Sequence, residues 1–246
     1  MGTLRFDLWK RRLVVGGAAA FIVFALGWNF GGTFMARREH VHSVALRAAQ
    51  RERDAKITAW IVKINPRATI RDFGGDFPDF LVRVAEAKGI RFQLLMALIE
   101  KESAWDPEAT GAKGEVGLMQ MLPATAKLVA QRLGDKEFEP PVVGGRGYAR
   151  LGSLARPRTA ISYGLEYLDW KQREFDGMSP VALRAYNRNP RRARESWPND
   201  RYAEEIAMTY VTLTHAIPST ERAQPDHPTQ QGVFIPQGFA LLQPRP

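Results

Sequence analysis

Apolar residues recur along this chain at three- and four-residue spacings and nowhere in a sustained alternation, so the pattern predicts a mainly α protein. The clearest stripe, Leu95, Leu98 and Ile99, defines a helix over 92–103 with one apolar face. Upstream, Val41, Val44, Ala45 and Ala48, then Ile57, Trp60, Ile61 and Ile64, place a charged helix over about 41–64 that Asn65-Pro66 ends. This helix either docks on the domain that follows or spaces it from a membrane. Leu81, Val84 and Ala85 mark a helix over 79–88, and Pro123 opens another at a first turn, where its missing N–H is no loss. Three more helices are expected over 160–175, 180–186 and 201–215. The Gly- and Pro-rich stretch 137–157 between them reads as loop.

One run is apolar without periodicity. From Leu13 to Met35 the chain carries no charge, which is long enough to cross a bilayer core as a helix, and Lys10, Arg11 and Arg12 precede it. Basic residues on that side hold the N-terminus in the cytoplasm and send the rest outward. The run exceeds the apolar core of a secretion signal and no Ala-x-Ala follows it, so an uncleaved anchor is expected. The chain then divides into a cytoplasmic N-terminus at 1–12, a transmembrane anchor at 13–35, a membrane-proximal helix and linker at 36–73, a globular domain at 74–217 and a Pro-rich tail at 218–246.

Composition narrows the chemistry. At 45% hydrophobic and 25% charged the 246 residues are ordinary globular material. The absence of cysteine excludes disulfides, a thiol nucleophile and a thiolate metal site. Four scattered histidines, His40, His42, His215 and His227, form no evident ligand set, so neither metal nor cofactor is expected. The net charge of +9 suits an anionic polymer, and without helix-turn-helix, zinc or aromatic-basic strand signatures nucleic acid is not the expected one.

The candidate chemistry sits where the Leu95 stripe ends. Glu102 lies four residues after Leu98 and three after Ile99, on the apolar face, whereas Glu100 points about 200° around the helix toward solvent or a flank. A carboxyl held against apolar side chains resists ionisation, which is what a general acid at neutral pH requires. Trp105-Asp106-Pro107 is expected to stop the helix, and Gly111, Gly114 and Gly117 to bring backbone into close approach or positive φ before Leu118-Met119-Gln120.

These residues carry a resemblance. Glu102-Ser103-x-Trp105-Asp106-Pro107-x-Ala109, Gly114-x-x-Gly117-Leu118-Met119-Gln120-x-x-Pro123-x-Thr125-Ala126, Ala182-Leu183-Arg184-Ala185-Tyr186-Asn187 and, more loosely, Pro198-x-x-Arg201-Tyr202 follow in the order found in the catalytic domain of soluble lytic transglycosylases, within the goose-type lysozyme superfamily. The resemblance covers about 77–214. The chain departs from that pattern at Gly111, where Ser is usual, at Glu115, where Ala is usual, at Ala160 and at Asn189.

The resemblance implies a lysozyme-like globular domain behind the N-terminal transmembrane helix. It implies Glu102 as the catalytic residue and Ser103, Gly117, Met119, Gln120, Tyr186, Asn187 and Tyr202 at the substrate, with Tyr186 orienting Glu102 or an N-acetyl carbonyl and Gln120 holding a sugar. Tyr148, in the 137–157 loop, is a further candidate for stacking on a sugar ring. The implied reaction breaks the bond between N-acetylmuramic acid and N-acetylglucosamine and leaves a 1,6-anhydro end. Hydrolysis of the goose lysozyme kind is one rival; it normally wants a second carboxylate about 6.5–9.5 Å away, and Asp106, Glu108 and Glu115 do not share the apolar face with Glu102. A non-catalytic peptidoglycan-binding scaffold is the other. The expected partners are peptidoglycan strands, the bacterial inner membrane through 13–35 with the domain in the periplasm, and proteins of an envelope complex.

Overall fold

The computed structural model describes residues 40–68, 73–142, 151–175, 180–187 and 201–219. The 13–35 run, Tyr148, Asn189 and residues 220–246 of the tail lie outside the described residues. The chain divides into two compact units after Glu52. In the first, residues 40–52 are helical and largely exposed.

The second unit begins with the helical residues 53–64, which bury Ile57 and Ile61 completely in the domain core. Of the two roles open to this stretch, residues 53–64 take the docking one. Six helices follow among the described residues: α1, Phe77–Glu86; α2, Phe92–Ser103; α3, Pro123–Leu133; α4, Pro157–Glu174; α5, Pro180–Asn187; and α6, Arg201–Ala216. Among the described residues β-pairing is limited to two isolated antiparallel bridges, Thr110 with Val116 and Val116 with Met121. The domain is mainly helical, and no helix among the described residues is long and apolar enough to cross a membrane.

The helix that carries Glu102 is not one-sided. Every residue from Phe92 to Ile99 is buried, so α2 is a central helix enclosed by α1, α6 and residues 53–64. Each fully buried Leu or Ile here contributes about 1.5–3 kcal/mol. Even Gln93 is inside, where its Nε2 donates to the Ile217 carbonyl at 2.9 Å and to Ser219 Oγ at 3.1 Å. From the other side α6 presents Tyr202, Ile206, Tyr210 and Leu213, and its Glu205 is ion-paired with Lys101.

Two boundaries differ from the pattern for a physical reason. α1 and α4 begin at Phe77 and Pro157, ahead of the expected 79 and 160, because Pro78 and Pro157 occupy first turns where no N–H is needed. Within the stretch read as loop, Gly152–Ala155 forms a 3₁₀ turn that buries Leu154 and, beside it, Leu151. Ser153 Oγ secures it by accepting from the Glu139 N–H at 2.9 Å and from Arg156 Nη2 at 2.8 Å.

Candidate active site

Glu102 occupies the last turn of α2, and the chain leaves that turn abruptly. Ala104 at φ 48° and Trp105 at φ 64° both take the left-handed region, so the helix stops before Asp106-Pro107 rather than at it. Left-handed backbone costs a residue with a side chain about 1–2 kcal/mol, and the surroundings hold it in place. Trp105 is fully buried, and its carbonyl accepts from Asn65 Nδ2 at 3.2 Å, which ties the turn to the end of the 53–64 helix. Asp106 Oδ1 caps the next bend by accepting from the Glu108 N–H at 2.9 Å.

Burial against this apolar helix lifts the Glu102 carboxyl from its ordinary 4.5 to about 7. The Tyr202 hydroxyl, donating to Glu102 Oε1, works against that rise by favouring the ionised form, the charge of Glu115 adds to it, and Lys101 opposes it. A carboxyl poised there is present in both forms at neutral pH and can give a proton and take one back. Glu100 sits on the flank instead, where Trp60 Nε1 donates to its Oε2 at 2.7 Å.

The glycine-rich segment folds back as a tight loop facing α4 and α5. Gly117 N–H donates to the Ala109 carbonyl at 2.9 Å, and Val116 and Met121 exchange backbone bonds of 3.0 and 3.1 Å. Gln120, at φ 43°, gives its Nε2 to the carbonyls of Ala109 at 3.0 Å and Gly117 at 2.9 Å, so its amide holds the loop and only Oε1 is left to accept from a ligand. Gly117 does make a close approach, but to the protein's own chain: a Cβ there would stand 2.6 Å from the Leu154 carbonyl oxygen.

Met119 needs correction as a substrate contact. Its side chain is fully buried beneath Gly164, where an added Cβ would meet Met119 Cε at 2.6 Å, and what it offers is its carbonyl, which accepts from the Tyr186 hydroxyl at 2.8 Å. Tyr186 therefore pins the loop to α5, and orienting Glu102 falls to Tyr202. Burial, with the Glu102 charge nearby, holds the Tyr186 phenol well above its ordinary range, so it stays a neutral donor. Ser103 Oγ bonds back to the Ile99 carbonyl at 3.2 Å and borders a cavity of about 770 Å³ with Asn65, Ala104 and Asp106. Asn187 is exposed at the end of α5.

Two substitutions test this arrangement. Tyr186→Phe leaves the buried Met119 carbonyl without that donor, an expected loss of about 1–3 kcal/mol, read as a lower denaturant midpoint at unchanged slope. Tyr202→Phe removes a bond that favours the ionised carboxylate, so the Glu102 titration midpoint is expected to move above its value near 7, as read by carbon-13 NMR of the labelled carboxyl. A downward or absent shift would show that Tyr202 does not act on Glu102.

The chain has recognisable relatives. Residues 81–208, just over half the chain, match the model of the Transglycosylase SLT domain. The chain is 31% identical over 145 residues to the soluble lytic murein transglycosylase of Escherichia coli, covering 59% of this chain and 20% of that protein. To its Salmonella typhimurium counterpart it is 29% identical over the same span. It thus spans about one fifth of the length of these curated relatives. Among solved structures it is similar to an inactive mutant of the lytic transglycosylase Slt from Pseudomonas aeruginosa, at 25% identity over 57% of this chain and 24% of that one, with a TM-score of 0.41. It is also similar to the 70-kDa soluble lytic transglycosylase of Escherichia coli, at 23% identity over 70% and 26% of the two chains, also with a TM-score of 0.41. The matched residues take in Glu102, the glycine loop, Tyr186 and Tyr202, and on that match the chain belongs to the family of SLT transglycosylase domains.

Proposed function

We propose that this chain is a peptidoglycan lytic transglycosylase with Glu102 as its single acid and base. The observation that carries the reading is the carboxyl itself, seated at the end of a buried helix, raised to about 7 and held by a donor from α6. In this reading protonated Glu102 gives its proton to the glycosidic oxygen between N-acetylmuramic acid and N-acetylglucosamine. As carboxylate it then takes the proton of the muramoyl C6 hydroxyl, which attacks its own anomeric carbon and closes a 1,6-anhydro ring. The positive charge that develops on the sugar is met by neutral dipoles or by the substrate's own N-acetyl group, and one well-placed dipole commonly supplies about 3 kcal/mol. Gln120 Oε1, Asn187 and the Ser103 side of the turn are the groups proposed to hold the strand.

Mass analysis of the muropeptides released from purified sacculi tests it. Anhydro ends are expected; reducing ends would mean hydrolysis, and no release would mean a binding scaffold.

The proposal includes attachment to the bacterial inner membrane through 13–35, with the domain in the periplasm, supported by the uncharged run and the basic residues that precede it. Amino-terminal sequencing of the mature protein checks this, since a start at Arg37 or beyond would replace the anchor with a cleaved signal. Proteins of an envelope complex are the further partners proposed for a domain so placed.

A further inference from the structure

Two side chains from a stretch ahead of the family match take hold of the turn that carries Glu102. Trp60 Nε1 donates to Glu100 Oε2 at 2.7 Å, two residues before Glu102, and Asn65 Nδ2 donates to the Trp105 carbonyl at 3.2 Å, three residues after it. Both donors precede residue 81, where the match to the SLT domain begins. The direction of the Asn65 amide is set by its partners. Its Oδ1 accepts from the Arg67 N–H at 3.0 Å while its Nδ2 faces a carbonyl, so the amide fits only one way round. Its backbone is engaged as well: the Asn65 N–H donates to the Ile61 carbonyl at 2.9 Å, and the Asn65 carbonyl accepts from the Ala68 N–H at 3.0 Å. Ile57 and Ile61, both fully buried, seat the preceding helical turns in the core. Asn65 is thus a donor fixed in place and direction.

What it holds is the strained part of the site. Ala104 and Trp105 keep positive φ, at 48° and 64°, without being glycine, and such backbone persists only where its surroundings oppose relaxation. The Trp105 ring is held by burial, since its Nε1 meets no acceptor among the described residues. The main chain of that residue has a separate tie, the bond from Asn65. We infer that Asn65 is a positioning residue of this site: its bond to the Trp105 carbonyl holds the left-handed pair that follows Glu102, and so keeps the Glu102 carboxyl at the buried end of α2 within reach of the Tyr202 hydroxyl. This rests on the proposed role of Glu102 as acid and base. Without the bond the pair relaxes toward ordinary backbone and the last turn of α2 loses its fixed end. Glu102 then spends time away from both its apolar seat and Tyr202. Trp60 is the second hold on the same turn, at Glu100.

The test uses the full chain in detergent micelles, with carbon-13 in the glutamate carboxyls. Asn65→Ser keeps an acceptor for the Arg67 N–H but is too short to reach the Trp105 carbonyl. Asn65→Asp, which keeps the length and drops the donor, takes its place should the first variant not fold. Muropeptide release at saturating sacculi is expected to fall about tenfold or more. The Glu102 midpoint is expected to fall from near 7 toward 4.5, because burial outweighs the opposing bond from Tyr202 and both are lost together. Tyr202→Phe, which raises the midpoint in the Asn65 protein, is expected to leave it nearly unmoved in the variant. Adding Ala104→Gly, which takes φ 48° without strain, is expected to return release and midpoint toward wild type. An unmoved midpoint, or an equal Tyr202→Phe shift in both backgrounds, overturns the inference even where melting temperature falls, since Asn65 would then be structural only. A shifted midpoint in variants whose parent releases no muropeptides would uphold the positioning and discard the transglycosylase reading.

Discussion

Glu102→Gln protein is expected to lose at least about 10²–10⁴ of its rate on sacculi while remaining as stable as wild type at low pH and more stable at neutral pH. The rate loss follows because an amide cannot donate and recover a proton, although it keeps the volume and can still accept from Tyr202. The stability change follows from linkage. In the unfolded chain the carboxyl ionises near 4.5 and in the folded chain near 7. Between those values the native state holds a proton that the unfolded state has released, so stability is full below about 4.5 and is lost as pH rises to 7. The loss corresponds to roughly 3 kcal/mol, and glutamine escapes it. Thermal unfolding of both proteins from pH 4 to 8 checks this: the curves should diverge only above pH 4.5. Near wild-type muropeptide release by the variant would end the assignment of Glu102.

Gly117→Ala is expected to destabilise the domain strongly for so small a change. Alanine at φ 75° costs about 1 kcal/mol in backbone strain. The larger effect is the new Cβ, 2.6 Å from the Leu154 oxygen, a backbone atom of a 3₁₀ turn whose Leu154 side chain is fully buried, so it cannot simply rotate aside. Overpacking of this kind commonly costs about 1–3 kcal/mol, so the total is about 3 kcal/mol, or roughly 10 °C in melting temperature for a domain of this size. Gly114→Ala supplies the comparison: its φ is 85° but a Cβ there meets nothing within 4 Å, so only the strain remains. Equal melting temperatures for the two variants would show that the 151–155 segment yields.

The apolar spacing of Leu95, Leu98 and Ile99 was enough to place both ends of α2 and to single out Glu102 over Glu100, because a helix that ends in a carboxylate on its apolar face can be read locally. That α2 is buried all round could not be read this way, since Gln93 looks like a solvent position until Ile217 and Ser219, more than 120 residues later, come to meet it. Tyr202 was legible as a motif residue, but its bond to Glu102 spans 100 positions and no spacing rule connects them. That the Tyr186 hydroxyl goes to the Met119 carbonyl was not legible in either motif, because only packing reveals it. Gly- and Pro-rich composition concealed the turn at Gly152–Ala155, where the information lay in two leucines among many breakers.

The full enclosure of Phe92–Ile99 sets how the domain breathes. Amides in the middle of a helix with no exposed side can meet solvent only when the whole domain opens, so they exchange hydrogen at the slowest rate the fold permits. The carboxyl at the end of that helix is attached to a slowly opening part of the described domain, and the loop bearing Gln120 is tied to the same core by the Tyr186 hydroxyl and the buried Met119 side chain.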